Sequence, residues 1–188
     1  MSFQAIKSLI QEVSPRRILL LCHQNADPDA LCSAFALKRL LKRIHRWAEI
    51  EIASPEGINK LSRAILDLLP VKVTVDHLKL PADIIIMLDT NTIKQLGPWE
   101  EEVKKSTAPL IVIDHHASHP ETERIASLIV CDENASSTCE IIYRFYEEEN
   151  IKPSKEEAQA IFLGIAFDTK HFVLAKSNTF KVAAALID

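Results

Sequence analysis

Glycine is scarce in this chain, with three in 188 residues. A loop-rich β-sandwich draws on glycine at its many turns, so the scarcity argues against that class. Long apolar runs are missing too. Ile18-Leu19-Leu20-Leu21-Cys22, Ile84-Ile85-Ile86-Met87-Leu88 and the six residues Val182–Ile187 all fall far short of the roughly 20 residues a membrane span needs. No charged segment followed by an apolar stretch opens the chain, as a secretory signal would. The four cysteines (Cys22, Cys32, Cys131, Cys139) form no CxxC pair. This argues against a zinc knuckle and leads us to expect buried thiols in a reducing, cytoplasmic compartment. Basic residues are in the minority, 22 against 26 acidic, for a net charge of −4. A protein held to duplex DNA by a basic surface would show the opposite balance. A short phosphate-bearing substrate remains compatible, because bound cations can supply positive charge.

What is present is an ordinary globular composition, 47% hydrophobic and 26% charged. Residues 1–188 read as one domain, with no internal repeat, low-complexity tract or linker. Phe3, Ile6, Ile10 and Val13 recur at helical spacing until Pro15. Leu31, Ala34, Leu37, Leu41 and Ile44 form a second stripe, with the basic residues between Lys38 and Arg46 mostly off it. Further helices are expected near Ile58–Leu69, Ser137–Glu149 and Ser154–Phe167, and from Asn178 onward. Strands are expected at Ile18–Cys22, Trp47–Ala53, Val71–Val75, Ile84–Leu88, Leu110–Ile113 and Ile125–Cys131. Short, non-alternating strands separated by helices predict an α/β fold, a doubly wound, mainly parallel sheet with helices on both faces. The last residues, from Val182, carry no helix-stop signal, which fits either a segment cut from a larger protein or an end in a docked helix.

Polar residues follow three of these strands at once. His23, with Asn25, Asp27 and Asp29, follows the first; Asp89 follows Ile84–Leu88; Asp114-His115-His116 follows Leu110–Ile113. Open α/β sheets bind ligands beyond the carboxyl ends of their strands, so neighbouring strands would bring these groups to one site, joined by Asp168 after Ala158–Phe167. Asp27, Asp29, Asp89 and Asp168 crowded together would raise one another's pKa, and burying each unpaired charge costs several kcal/mol, as an order of magnitude. Two divalent cations would cancel the four charges and leave neutral imidazoles as further ligands. Mixed oxygen and imidazole ligation suits Mn²⁺, or Mg²⁺ with more water. Pro28 fits the first position of a helix capped by Asp27, whose positive end would face the cations and any phosphate on them.

His23-Gln24-Asn25-Ala26-Asp27-Pro28-Asp29-Ala30, the lone Asp89, Asp114-His115-His116 and Gly164-Ile165-Ala166-Phe167-Asp168-Thr169 stand in the order of four motifs of the DHH phosphoesterase superfamily, which this chain resembles over nearly its whole length. That superfamily includes RecJ-type exonucleases, oligoribonucleases that also cleave 3′,5′-bisphosphates, cyclic-dinucleotide phosphodiesterases and family II inorganic pyrophosphatases. The resemblance implies that His23, Asp27 and Asp89 hold one metal. Asp29, Asp89, His115 and Asp168 would hold the other, with Asp89 shared. His116 would contact the substrate phosphate and Asp114 would support the histidines, so that Asp89, Asp114 and His116 carry the catalytic roles. It further implies a C-terminal substrate-binding domain beyond this one. Lys170 stands where relatives often have glycine.

The reaction so implied is two-metal hydrolysis of phosphoester bonds in nucleotides or short oligonucleotides. An inorganic pyrophosphatase with the same metal core is the alternative, and a non-catalytic, replication-associated scaffold is a third reading. Scaffolds tend to lose metal ligands, and here every matched position is filled. Other features read as structural. Ser137 with Glu140 fits a capping box, although Ser136, Ser137 and Thr138 could also touch phosphate. Lys38–Arg46 has the spacing of a solvated helix face, and Glu147–Glu149 that of a solvated helix end. His45, His77, His119 and His171 are expected at the surface or satisfied, and Trp47, Trp99 and the phenylalanines mainly in the core.

Overall fold

The computed structural model describes residues 2–75 and 77–187. Six parallel strands form one sheet: β1 (Arg17–Leu21), β2 (Glu49–Ala53), β3 (Val73–Thr74), β4 (Ile84–Leu88), β5 (Leu110–Asp114) and β6 (Leu128–Cys131). Their order is β3-β2-β1-β4-β5-β6, so the winding reverses between β1 and β4, the switch point at which doubly wound sheets bind their ligands. Leu20 pairs with Ile52 on one side and Ile86 on the other, and Met87 pairs with Val112. The strands that flank the switch point therefore end level with one another.

The expected class is the observed one, and the strands show why. Ile18, Leu20, Ile84, Ile86, Ile111 and Ile113 face one core, while Leu19, Leu21, Ile85, Met87 and Val112 face another. An apolar run without alternation is the signature of a strand covered on both sides. The two covers are unequal. The first consists of α1 (Phe3–Val13), α2 (Pro28–Ile44), α6 (Thr138–Glu148), α7 (Lys155–Asp168) and α8 (Ser177–Ile187). The second is thin: a 3₁₀ segment over Ile93–Trp99 and the short α4 (Glu100–Lys105), which supply Ile93, Leu96, Trp99 and Val103. Neither of these, nor the four-residue α5 (Pro120–Glu123), is long enough to show a helical period in sequence.

Several expected boundaries shift. The helix expected near Ile58–Leu69 is α3 (Lys60–Leu66), started by the Asn59 side chain accepting from the Ser62 amide. The Val71–Val75 strand shrinks to the two residues of β3, at the sheet edge. Trp47 is corrected from core to surface: it lies 71% exposed in the turn between α2 and β2, edge-on to His45. Phe180, on the outer side of α8, is also exposed. His45 is not at the surface but buried, with neither ring nitrogen hydrogen-bonded. Among the thiols, Cys22, Cys32 and Cys139 are buried, and Cys131 is half-buried at the end of β6. No helix among the described residues is long and apolar enough to cross a membrane.

Candidate metal centre

The residues singled out after the strands converge at the switch point. His23 follows β1 in a loop tied down on both sides: the Gln24 amide donates to the Gln95 carbonyl (2.8 Å), and Ser54 Oγ donates to the His23 carbonyl (2.8 Å). The loop ends where Asp27 caps α2, accepting from the Ala30 amide at 3.0 Å, with Pro28 at the first helical position as its fixed φ favours. His23 Nε2 lies 3.8 Å from Asp27 Oδ1. Burial opposes charge on the His23 ring, but Asp27 and the Gln24 carbonyl outweigh it and lift its pKa. Asp27, itself opposed by burial, is drawn below the usual range by His23 and the Ala30 amide.

Asp29 lies in the first turn of α2 and is fully buried. Its two carboxylate oxygens accept from the first amides of α6, Thr138 at 2.6 Å and Cys139 at 2.9 Å. A helix N-terminus offers unpaired N–H groups and positive potential, which is what a buried anion needs. Burial nonetheless pushes the Asp29 carboxyl well above its ordinary range, with Asp89 and Asp168 adding to the push and Cys139 opposing it. The approach of these groups depends on Gly164 in α7. A Cβ there would meet Cys139 Sγ at 2.3 Å and Asp29 Oδ1 at 2.9 Å.

Asp89 turns sharply off β4 with φ 51°, a left-handed conformation that aspartate tolerates better than most residues. It is 6% exposed. Its Oδ1 accepts from Thr138 Oγ1 (3.0 Å) and lies 3.6 Å from His115 Nε2 and 3.7 Å from His116 Nδ1. Burial first, then Asp114, Asp27 and Asp168, push its carboxyl up to about 7, with His115 pulling it down. Asp114, the buried last residue of β5, accepts from both the backbone amide and Nδ1 of His116 at 2.8 Å. That contact, against the opposing effect of burial, lifts His116 to about 9. His116 thus presents a cationic ring to solvent at neutral pH. His115 packs on it with ring centroids 4.0 Å apart and sends Nε2 toward Asp168 Oδ2 (2.8 Å) at the end of α7.

Three groups of donor atoms result, each within 4.8 Å of one another: His23, Asp27 and Asp89; Asp29, Asp89, His115 and Asp168; and Asp89, Asp114, His115 and His116. Asp89 belongs to all three. The donor set fits a hard divalent cation. Oxygen and imidazole ligands predominate; Asp114 Oδ2 is buried without a hydrogen-bond partner, and His115 Nε2, though 2.8 Å from Asp168 Oδ2, makes no hydrogen bond of acceptable angle. The nearby Cys22, Cys32 and Cys139 thiols are held protonated by burial and by the aspartates, so no thiolate competes.

Two contributors had no clear sequence signal. Thr138 stood among candidates for a phosphate contact; its hydroxyl instead donates to Asp89. The capping box expected at α6 forms only in part. Ser137 Oγ accepts from the Glu140 amide, but the Glu140 carboxylate reaches the Ser136 amide rather than that of Ser137. The second is a groove of about 620 Å³ beside Asp168, walled by Leu61 and Ile65 of α3, by Leu68 just beyond it and by Leu163 and Phe167 of α7. Lys170 and His171 stand at its rim because the chain leaves α7 through three consecutive left-handed residues, Lys170, His171 and Phe172 (φ 49°, 56° and 69°). Successive left-handed non-glycine residues are sterically costly. His77 and His119 are exposed, and His119 caps α5.

A six-stranded parallel sheet in this order, with carboxylates and imidazoles gathered at its switch point, defines a doubly wound α/β protein with a candidate two-cation centre. Residues 17–165 match the model of the DHH family, N-terminal domain. The chain belongs to that family. It is 37% identical over 180 residues to an uncharacterized protein of Methanocaldococcus jannaschii, covering 95% of this chain and 53% of that protein. It is 29% identical over 176 residues to the bifunctional oligoribonuclease and PAP phosphatase NrnA of Bacillus subtilis, covering 90% and 52%. The crystal structure of an exopolyphosphatase-related protein from Bacteroides fragilis superposes with a TM-score of 0.81 at 23% identity, covering 98% of this chain and 56% of that one; this last likeness is one of fold. The chain spans about half the length of the curated relatives it matches.

Proposed function

We propose that this chain is the catalytic half of a cytoplasmic two-metal phosphoesterase that hydrolyses phosphoester bonds in nucleotides or short oligonucleotides. The observation that carries the reading is the sharing of Asp89 among donor groups that each close to within 4.8 Å. His23, Asp27 and Asp89 would hold one cation, Mn²⁺ or Mg²⁺, and Asp29, Asp89, His115 and Asp168 the other. When bound, such a pair lowers the pKa of a shared water and withdraws charge from the phosphoryl oxygens. The protein's own groups do the rest. Thr138 and the α6 amides fix Asp89 and Asp29 so that the carboxylates need not reorganise. Asp114 orients His116 and keeps it protonated, placing a cationic donor where phosphoryl charge grows. The groove beside Asp168, apolar with Lys170 at its edge, suits a nucleobase whose phosphate lies on the centre.

The relative that cleaves oligoribonucleotides and PAP supports this reading over the pyrophosphatase alternative, and the filled ligand positions support it over a scaffold. Hydrolysis of a dinucleotide, a nucleoside 3′,5′-bisphosphate and pyrophosphate should be measured with Mn²⁺ on one preparation. Turnover of either nucleotide well above pyrophosphate is expected. Turnover of pyrophosphate alone would favour the alternative, and manganese uptake without any hydrolysis would favour the scaffold.

A further inference from the structure

At the far end of α2 from the metal centre, Lys38, Arg39, Lys42, Arg43 and Arg46 line a cleft of about 430 Å³ with Phe35 at its base. At about 1.5 Å of rise per residue, Lys38 lies roughly 15 Å and Arg43 roughly 22 Å along the helix axis from Pro28, with Arg46 in the turn just beyond the helix. The spacing from 35 to 43 keeps the helical residues on one side of α2, where Lys38 and Lys42, and Arg39 and Arg43, are like-charged neighbours four apart, and Arg46 joins them from the turn after the helix. Such pairs repel, and a helix face built only for solvation gains nothing from stacking two of them beside a further arginine. The face is also concave: Pro70 and Val71, beyond α3, form the opposite wall.

The internal compensation is slight. Glu157 is buried and serves both Arg39 and Arg43, and its Oε2 also accepts from the Ser154 amide. Lys42 donates to the Ala48 carbonyl and Arg43 to the Lys152 carbonyl, neither of which carries charge. Lys38 and Arg46 have no hydrogen-bond or ion-pair partner among the described residues. Glu51, on the neighbouring strand, is paired with Arg17 and Lys79, and it and Glu49 attract Lys38 only from a distance. Five cations therefore have one carboxylate in direct contact among the described residues, with Glu49, Glu51 and Glu156 acting from a distance, in a protein whose net charge is −4. The cleft volume lies within the range of small-molecule sites and is small for a folded nucleic acid.

We propose that this cleft is an anion site, separate from the metal centre, that binds a linear di- or triphosphate group, either free or as the tail of a nucleotide. Lys38 and Arg46 are the free donors, with Lys42 and the outer N–H groups of Arg39 and Arg43 turning to the ligand when it is present. The exposed Trp47, next in sequence to Arg46, is a built-in reporter.

The proposal does not depend on the function proposed for the metal centre, and its test keeps the two apart. Tripolyphosphate and ATP are titrated by calorimetry and by tryptophan fluorescence into the intact protein in EDTA, so that no divalent cation can recruit phosphate to the aspartates. Saturable one-to-one binding is expected, weakened at least tenfold in Lys38→Glu/Arg46→Glu and in the milder Lys38→Met/Arg46→Met, and weakened further as salt rises. Asp89→Ala should bind as the wild type does. ATP tenfold tighter than tripolyphosphate would assign the nucleotide, and equal affinity would assign the phosphate chain alone. The proposal is overturned if neither ligand saturates, if both Lys38/Arg46 double variants bind unchanged while folded, or if a single-stranded decanucleotide binds more tightly than either.

Discussion

Gly164→Ala is the substitution for which the geometry gives the clearest expectation. In the middle of a helix, alanine is better than glycine by roughly 1 kcal/mol, so without a tertiary obstacle the variant would be more stable. The obstacle is severe. The added methyl carbon would lie 2.3 Å from Cys139 Sγ, 2.9 Å from Asp29 Oδ1 and 3.2 Å from Cys139 Cβ. None of these atoms has room to yield, since Cys139 is buried and Asp29 is held by two amides of α6. Overpacking of a tight core costs about 1–3 kcal/mol; with all three contacts closed, the upper end applies, and about 2 kcal/mol of destabilisation remains after the propensity gain. For a domain of this size that is a fall in melting temperature of about 4–8 °C. Manganese affinity should fall with it, because any shift forced on Cys139 and Asp29 displaces Asp29 from its place beside Asp89 and Asp168. Cys139→Ala in the same chain removes the shortest contact and should restore part of the loss. A melting temperature raised above wild type, with manganese affinity unchanged, would refute the packing argument.

Other expectations follow from single contacts. Thr138→Val removes the hydroxyl that fixes Asp89 while keeping the shape, and should weaken manganese binding about 10- to 100-fold with little change in melting temperature, read by calorimetry. Glu51 is opposed by burial, but Thr74, Lys79 and Arg17 hold its carboxyl down at about 2. Because its folded pKa lies below the unfolded value near 4.5, its stabilisation is complete above that value and disappears as pH falls from there toward 2. Denaturation curves should show Glu51→Gln less stable than wild type at pH 6 and equal to it near pH 2; a constant gap would contradict this. Asp114→Asn leaves His116 without its anionic partner. Its pKa, followed by NMR, should drop from about 9 toward the ordinary histidine value near 6.5.

Much of the centre was legible because its residues sit at punctuation points. Each of His23, Asp89 and Asp114 terminates an uninterrupted apolar strand, and a parallel sheet brings such ends to one edge whatever the loops do. Asp27 was legible as a cap, since Pro28 fixed the helix start. What the sequence hid depends on contacts between distant segments. The Thr138 hydroxyl has meaning only because α6 begins against Asp89, and the need for Gly164 only because α2, α6 and α7 meet there. The basic face of α2 reads as solvated from its spacing alone; its concavity depends on Pro70 and Val71, which sequence does not place. Trp47 was misassigned because a large aromatic is usually buried, whereas here it occupies a two-residue turn with no layer above it.

The central claim is that one aspartate joins two cation sites. Manganese uptake by wild type and by Asp89→Ala, measured calorimetrically on protein shown by circular dichroism to be folded, tests it most directly. The account predicts two bound ions per chain for wild type and the loss of both high-affinity sites in the variant. A folded Asp89→Ala protein that still takes up two ions with wild-type affinity would contradict it.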